Sequence, residues 1–178
     1  KGENVGQAFG SIERLLKQLG ITPTYRRCVQ PALEIAEKTG EHAAALELPD
    51  GRIVTGKTSA LLGAASAMLL NALKALAGIN AEIDLISPVV IGPIQDLKVN
   101  HLGSKNPRLH TDEVLLALSI SAATNPTAER AMQALEELRG CDMHTTVTLS
   151  DADQNTCAKL GLQVTSEPMR QTKALYYK

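Results

Sequence analysis

The sequence predicts an α/β fold in which helices cover both faces of a mixed β-sheet, giving three layers. Short segments with the composition of strands, such as residues 43–48 and 162–167, are interleaved with segments of helical periodicity. One segment, residues 59–77, is apolar around nearly its whole circumference and carries Lys74 as its single charge. A helix of this kind is buried on all sides, so we expect it at the centre of the fold.

A small helical segment over residues 1–40 is predicted to precede an α/β domain over residues 41–178. Apolar residues recur at helical spacing across residues 9–19 and predict a first helix. A second helical segment is expected over residues 22–40. Pro31 interrupts or restarts it, because proline lacks a backbone donor.

The stretch from Gly51 to Thr58 matches the phosphate-binding pattern G-x-x-x-x-G-K-[ST]. Three of the four residues between its glycines are β-branched and favour extended backbone, whereas a loop that wraps a phosphate needs conformational freedom. The Pro-Asp-Gly turn joins residues 43–48 to residues 52–55. We therefore interpret the match as accidental and predict a β-hairpin, with at most a stray anion at the N-terminus of the following helix.

The rest of the chain continues the alternation of strands and helices. The expected elements are a short strand over 82–87, a helix opened by Ser87-Pro88, a helix over 112–123 capped by Thr111, a helix opened by Asn125-Pro126 and closed by Gly140, a strand over 144–149, a helix from a Ser150/Asp153 capping box to Gly161, and a last strand over 162–167.

Composition and charge argue against several kinds of partner. The net charge is -1 and aromatic residues make up 2% of the chain, so we expect no nucleic acid. No apolar run reaches the length of a transmembrane helix, so no membrane contact is expected. Cys28, Cys141 and Cys157 are widely spaced and form no C-x-x-C pair, which is typical of reduced thiols in a cytoplasmic protein.

The densest group of polar side chains lies in the segment NHLGSKNPRLHTDE. The candidate ligand-binding residues in it are His101, Lys105, Asn106, Arg108, His110, Asp112 and Glu113. The basic residues and the start of the following helix could bind a phosphate or carboxylate. Alternatively, His110 and Asp112 could share a metal ion, or the segment could be structural, with a turn, a helix cap and solvated charges. His42 and His144 are isolated and are expected to be surface or satisfied histidines.

The hairpin, the segment DGRIVTG and the buried helix after it resemble the opening of the cytidine deaminase fold. Those enzymes carry zinc ligands and a catalytic glutamate as [HC]-x-E at the start of this helix and as P-C-x-x-C on the next one. Here residues 64–68 read AASAM, and no P-C-x-x-C follows. The resemblance therefore implies a deaminase-like topology without the zinc site, and no metal is expected.

The segments LELPDGRIVTGKTSALLGAASAMLLNALKALAGI and KVNHLGSKNPRLHTDEVLLALSISAATNPTA resemble uncharacterised protein family 0371, a group of bacterial proteins. The resemblance covers roughly residues 11–178. It implies the C-terminal third of a longer cytosolic protein that forms homo-oligomers and contacts its own N-terminal region, which carries a separate glycine-rich loop. Some members are labelled ATP-dependent peptidases, but no protease arrangement is present in these residues. The family has no assigned catalytic residues or cofactor to carry over.

Two functions remain open at this point. The first is a non-catalytic domain that serves assembly or completes a site with the N-terminal region. Its support is the central helix, which has no reactive side chain. The alternative is half of an enzyme site that binds an anionic small molecule, such as a nucleotide or phosphorylated metabolite, through residues 101–113. The sequence assigns no reaction, so enzyme activity is left undecided.

Overall fold

The computed structural model describes the backbone of residues 5–169 and the side chains of residues 10–169. Within that range the chain forms seven α-helices and four strands. In chain order they are α1 (Val5–Leu19), α2 (Val29–Thr39), β1 (Ala43–Glu47), β2 (Ile53–Lys57), α3 (Ala64–Leu76), α4 (Pro88–Asp96), α5 (Thr111–Ala122), α6 (Pro126–Gln133), β3 (Asp142–Thr145), α7 (Asp151–Lys159) and β4 (Gln163–Ser166). A π-helical turn (Leu97–His101) extends α4, and a 3₁₀ turn (Ala134–Leu138) extends α6.

The four strands form one mixed sheet in the order β2-β1-β3-β4. Strand β1 is antiparallel to both of its neighbours, whereas β3 and β4 are parallel and are joined through α7. The predicted α/β class is therefore confirmed. Because β1 runs against β2 and β3, the start of β1 and the ends of β2 and β3 meet at one edge of the sheet.

Helices pack on both faces of the sheet, as the alternation of side chains along β1 shows. Ala45 points to one face, where it packs with Cys28 and Ala32 from the start of α2. Ala44 and Leu46 point to the other face and join the main core, to which α3 contributes the largest share of buried side chains. The buried central helix is confirmed, although it begins at Ala64 and not at residue 59.

The two glycines of the phosphate-loop match have structural roles. Gly51 lies in the hairpin turn with φ of 81°, a conformation that residues with a side chain rarely adopt. Gly56 lies inside β2, and a Cβ atom added there would lie 2.0 Å from the backbone nitrogen of Met68 in α3. The predicted hairpin is confirmed, and the second glycine allows the helix to approach the strand closely.

The segment before α2 differs from the prediction. Residues 22–28 form turns, and the helix begins only at Val29. Arg26 pairs with Asp142 of β3 and donates a 2.7 Å hydrogen bond to the carbonyl of Gln163 in β4. These tertiary contacts hold the turn across the sheet edge, which helical propensity does not reveal.

Other boundaries also differ. Residues 82–87 form turns and no strand, since the Asn80 side chain accepts a hydrogen bond from the backbone of Glu82. The N-cap of α5 is His110 and not Thr111. Strand β3 covers Asp142–Thr145 and ends before the predicted residues 146–149. No helix in the described part of the chain combines the length and apolarity needed to cross a membrane.

Candidate functional site

A small cavity of about 30 Å³ lies at the edge of the sheet where the start of β1 and the ends of β2 and β3 meet. His42 just before β1, Thr58 just after β2 and Thr145 at the end of β3 line one side. The first turn of α3 lines the other side, together with Asn106 and residues 108–110, which lead into α5. Ligands of open α/β sheets bind at such carboxyl ends of strands, so this cavity is the candidate site.

His110 is held against Asp153 in the wall of the cavity. The imidazole Nδ1 lies 2.9 Å from Asp153 Oδ2, and the two side chains are 22% and 8% exposed. The hydrogen bond to Asp153 raises the pKa of His110 above its ordinary 6.5, against the opposing effect of burial. Asp153 favours the Nδ1–H form of the ring and stabilises its protonated state.

Asp153 keeps its charge although it is buried. Burial opposes ionisation, but hydrogen bonds from His110, from the backbone N–H of Thr111 at 2.8 Å and from Ser150 Oγ at 2.7 Å hold the pKa of Asp153 below its ordinary 3.8. Ser150 is also the N-cap of α7, where its hydroxyl accepts from the backbone of Asp153. The start of α7 therefore fixes the carboxylate that orients His110, the N-cap of α5.

A buried lysine fixes the segment that precedes α5. Lys98 is 8% exposed, and its ammonium donates to the carbonyl of Arg108 at 2.7 Å and to Glu113 Oε2 at 2.6 Å. Glu113 in turn accepts from the backbone N–H of His110 at 2.8 Å. Residues 108–113 are thus tied to the π-helical turn, and the position of His110 is set from two directions.

Several groups of the cavity wall could form hydrogen bonds or an ion pair with a ligand. Thr58 is 9% exposed, and its hydroxyl makes no hydrogen bond within the described residues. His42 Nε2 is buried and has no hydrogen-bond partner in the same part of the chain. The first N–H groups of a helix lack carbonyl partners, and Gly63, the N-cap of α3, has no side chain to satisfy them. Arg108 adds a positive charge and donates through Nε to the carbonyl of Ser59 at 2.7 Å.

The structure brings together some of the residues that the sequence singled out and separates others. The cavity is lined by Asn106, Arg108 and His110. Glu113 lies outside the lining and accepts a hydrogen bond from the backbone N–H of His110. His101, Lys105 and Asp112 are exposed, and His101 Nε2 lies 3.7 Å from Asp96 Oδ2. Within residues 10–169 no group of three or more His, Cys, Asp or Glu side chains is arranged to hold a metal ion.

Three residues of this region were not identified from the sequence as ligand-binding candidates: His42, Lys98 and Asp153. His42 was expected to be a surface or satisfied histidine, but its Nε2 is buried without a hydrogen-bond partner in the described chain. Asp153 carried one signal, its spacing from Ser150, which predicted the start of a helix but not a contact with His110. Lys98 reaches this region through tertiary packing. Thr58 ends the phosphate-loop match in the sequence, beside a helix start that could hold a stray anion.

The fold and this cavity define an α/β domain with a polar cleft at the carboxyl edge of its sheet, and comparison with known proteins places it in a family. The family described as "Domain of unknown function DUF1846, C-terminal" matches residues 24–176. The chain belongs to this family, and the resemblance to uncharacterised protein family 0371 is confirmed by its relatives.

Those relatives are bacterial proteins several times longer than their aligned part. The chain is 57% identical over 167 residues to the UPF0371 protein of Corynebacterium glutamicum, covering 94% of this chain and 34% of the relative. It is 52% identical over 179 residues to the UPF0371 protein of Streptococcus sanguinis, covering 100% of this chain and 36% of the relative. The chain therefore spans about a third of the length of these relatives.

Proposed function

We propose that the cavity binds the anionic group of a small molecule, a phosphate or a carboxylate. The observation that carries the proposal is His42, whose side chain lines the cavity and whose Nε2 is buried without a hydrogen-bond partner in the described chain. A buried polar group without a partner is costly, and a bound ligand would satisfy it. The N-terminal turn of α3 lines the same space with backbone donors.

The charges around the cavity favour an anion. Arg108 supplies a permanent positive charge, and His110 supplies a second when it is protonated. Asp153, the single buried carboxylate among residues 10–169, directs both oxygens to donors of the protein, namely His110, Thr111 and Ser150. An anion would therefore meet donors and cations with little repulsion from that carboxylate.

The size of the cavity limits what it can hold. A volume of about 30 Å³ accommodates a water molecule or one small functional group, whereas pockets for whole ligands measure about 300–1,000 Å³. The rest of the ligand must lie outside the cavity. Because the chain spans about a third of its relatives' length, we propose that another part of the protein contacts that remainder. The domain is then half of a site.

We also propose the deaminase-like topology as the finer description of the fold. The hairpin β1–β2 leads into the buried α3, and a parallel β3–α7–β4 unit follows later in the chain. The starts of α3 and α7 both contribute to the cavity, through Ala64 and Asp153 respectively. The zinc-binding residues of deaminases are replaced here by small residues at the start of α3.

Binding of inorganic phosphate, measured by isothermal titration calorimetry, tests the proposed site. Thr58→Val keeps the shape of the side chain and removes the hydroxyl, so the affinity should fall about 10-fold, as for loss of a hydrogen bond to a charged group. Arg108→Ala should weaken binding further. Lys57→Ala is the matched control, because it removes an exposed positive charge next to Thr58 without altering the cavity wall. Equal loss in all three variants would indicate nonspecific attraction and contradict the proposal.

The exposed apolar face of α1 supports assembly as a second role. Ile12, Leu15 and Leu19 lie at helical spacing and are 55%, 57% and 69% exposed. We propose that this face packs against another part of a longer protein. We also propose a cytosolic location for this chain, because Cys28, Cys141 and Cys157 are free thiols. Native mass spectrometry should give a monomer for this chain. A multimer that Leu15→Asp dissociates would instead assign the face to homo-oligomer formation.

A further inference from the structure

The two nitrogens of His110 lie in different surroundings. Nδ1 is fixed by Asp153 at 2.9 Å, and Ser150 Oγ lies 3.3 Å from the same nitrogen. Nε2 lies 3.4 Å from the side-chain nitrogen of Asn106, which also lines the cavity. One nitrogen therefore serves to orient the ring, and the other belongs to the cavity.

The hydrogen bonds around Asn106 assign the state of that second nitrogen. The amide oxygen of Asn106 accepts from the backbone N–H of Arg108 at 3.1 Å, which fixes the orientation of the amide group. The amide nitrogen, which only donates, therefore faces His110 Nε2. Nε2 must offer its lone pair, while Nδ1 carries the hydrogen and donates it to Asp153.

A ring arranged in this way has the geometry of a general base. The buried carboxylate selects the tautomer and stabilises the positive charge that develops when Nε2 accepts a proton. The charged and titratable groups around the ring are Asp153 on α7, Glu113 on α5, Lys98 behind the loop, and Arg108 with His42 in the cavity wall. Lys98 donates to the carbonyl of Arg108 and to Glu113, and its positive charge acts to lower the pKa of His110, whereas Arg108 donates through Nε to the carbonyl of Ser59.

We propose that His110 is a catalytic base, that Asp153 is its positioning residue, and that the substrate carries a hydroxyl or a bound water next to its anionic group. The O–H group takes the place of the 3.4 Å contact with Asn106 on the single lone pair of Nε2, which accepts its proton while the bonding electrons stay on the oxygen. The ring becomes neutral again when Nε2 gives that proton to an oxygen of the product or to water. This inference rests on the proposed anion site, because the anionic group is what places the O–H beside Nε2.

Acylation by diethylpyrocarbonate tests the inference without knowledge of the substrate, since a histidine reacts with this reagent only through an accessible, unprotonated ring nitrogen. Mass spectrometry after proteolysis would report each histidine separately. His110 should react, with a rate that rises with pH through a midpoint above 6.5, and inorganic phosphate should slow the reaction. The exposed His101 should react without protection, and the buried His144 should stay unmodified.

Asp153→Asn separates a positioning role from a structural one. The asparagine retains an oxygen for the N–H of Thr111 but loses the charge, so the midpoint of His110 acylation should fall to lower pH. If this variant does not fold, Ser150→Ala removes one partner of the carboxylate and should give a smaller shift in the same direction. An unchanged midpoint in folded variants would overturn the positioning role of Asp153.

The remaining outcomes distinguish the two proposals. If phosphate binds in the calorimeter but His110 is inert to the reagent, the site binds anions and His110 is not a base, which overturns the inference. If His110 reacts with the expected midpoint but phosphate neither binds nor protects, the anion site is wrong. The inference in its stated form then fails with it, because nothing would hold the substrate beside Nε2.

Discussion

His110 and Asp153 are 43 residues apart in the sequence, and their side chains meet through a hydrogen bond of 2.9 Å between Nδ1 and Oδ2. The first residue caps the start of α5, and the second lies in the first turn of α7. The contact joins the two helix starts at the cavity. A change to either residue is therefore expected to alter both the titration of the site and the stability of the fold.

The histidines should titrate in a defined order. The hydrogen bond to Asp153 raises the pKa of His110 above 6.5, whereas burial lowers the pKa of His42 and of His144 below it. Nuclear magnetic resonance of the imidazole carbons against pH measures all three. Asp153→Asn should lower the pKa of His110 and leave His144 unchanged. A wild-type His110 that titrates below the other two would contradict the geometry.

The same pair should make stability depend on pH. Because the pKa of His110 is raised in the folded state, its contribution is complete below 6.5 and is lost as the pH rises through the folded pKa. The pKa of Asp153 is lowered, so its contribution is present above 3.8 and is lost as the pH falls through the folded value. Urea unfolding should show a larger cost of Asp153→Asn at about pH 5 than at about pH 9.

Gly56→Ala should destabilise the domain strongly. The new Cβ would lie 2.0 Å from a backbone nitrogen of α3, which no side-chain rotation can relieve. We expect a loss of about 3 kcal/mol or more in the free energy of unfolding. Gly92→Ala is the control, because nothing lies within 4 Å of its added Cβ and helix propensity favours alanine. Equal stability of the two variants would show that α3 does not approach β2 so closely.

Lys98→Met should loosen the loop that carries Arg108 and His110. It leaves Glu113 and the carbonyl of Arg108 without their cation, at a cost of about 2 kcal/mol in unfolding free energy. Adding Glu113→Gln should recover part of that loss, since the unpaired charge is then removed. If the double variant loses as much unfolding free energy as Lys98→Met and Glu113→Gln lose separately when added together, the two residues do not act as a pair.

The sequence predicted those parts of the fold that depend on local pattern. The hairpin, the buried central helix and the caps at Ser87, Asn125 and Ser150 follow from periodicity and from side chains that bond to nearby backbone, and all are confirmed. The turns over residues 22–28 depend on Arg26 reaching Asp142, a contact that no local pattern encodes.

The candidate site was only partly predictable for the same reason. A cluster of polar residues pointed to Asn106, Arg108 and His110, but the other wall of the cavity comes from strand ends far away in the chain. Thr58 ends the phosphate-loop pattern in the sequence, and its place in the cavity wall depends on where β2 ends. Only the folded chain brings His42 and Asp153 to the same cavity.

The division into residues 1–40 and 41–178 stays a prediction. The packing of Cys28 and Ala32 on β1 favours grouping α2 with the sheet, and the family match begins at residue 24. A shortened chain that begins at residue 22 should therefore unfold with the same cooperativity as the whole chain, whereas a chain that begins at residue 41 should lose stability. Circular dichroism during urea unfolding would measure both.

Mapping of phosphate binding by nuclear magnetic resonance tests the central claim most directly, because it locates the anion. The ¹H–¹⁵N spectrum of the protein should show saturable shifts at the backbone N–H groups of Ala64 and Ala65 and at the imidazole of His110, and Thr58→Val should weaken them together. Shifts that do not saturate, or that are confined to exposed lysines such as Lys57 and Lys105, would contradict an anion site in this cavity.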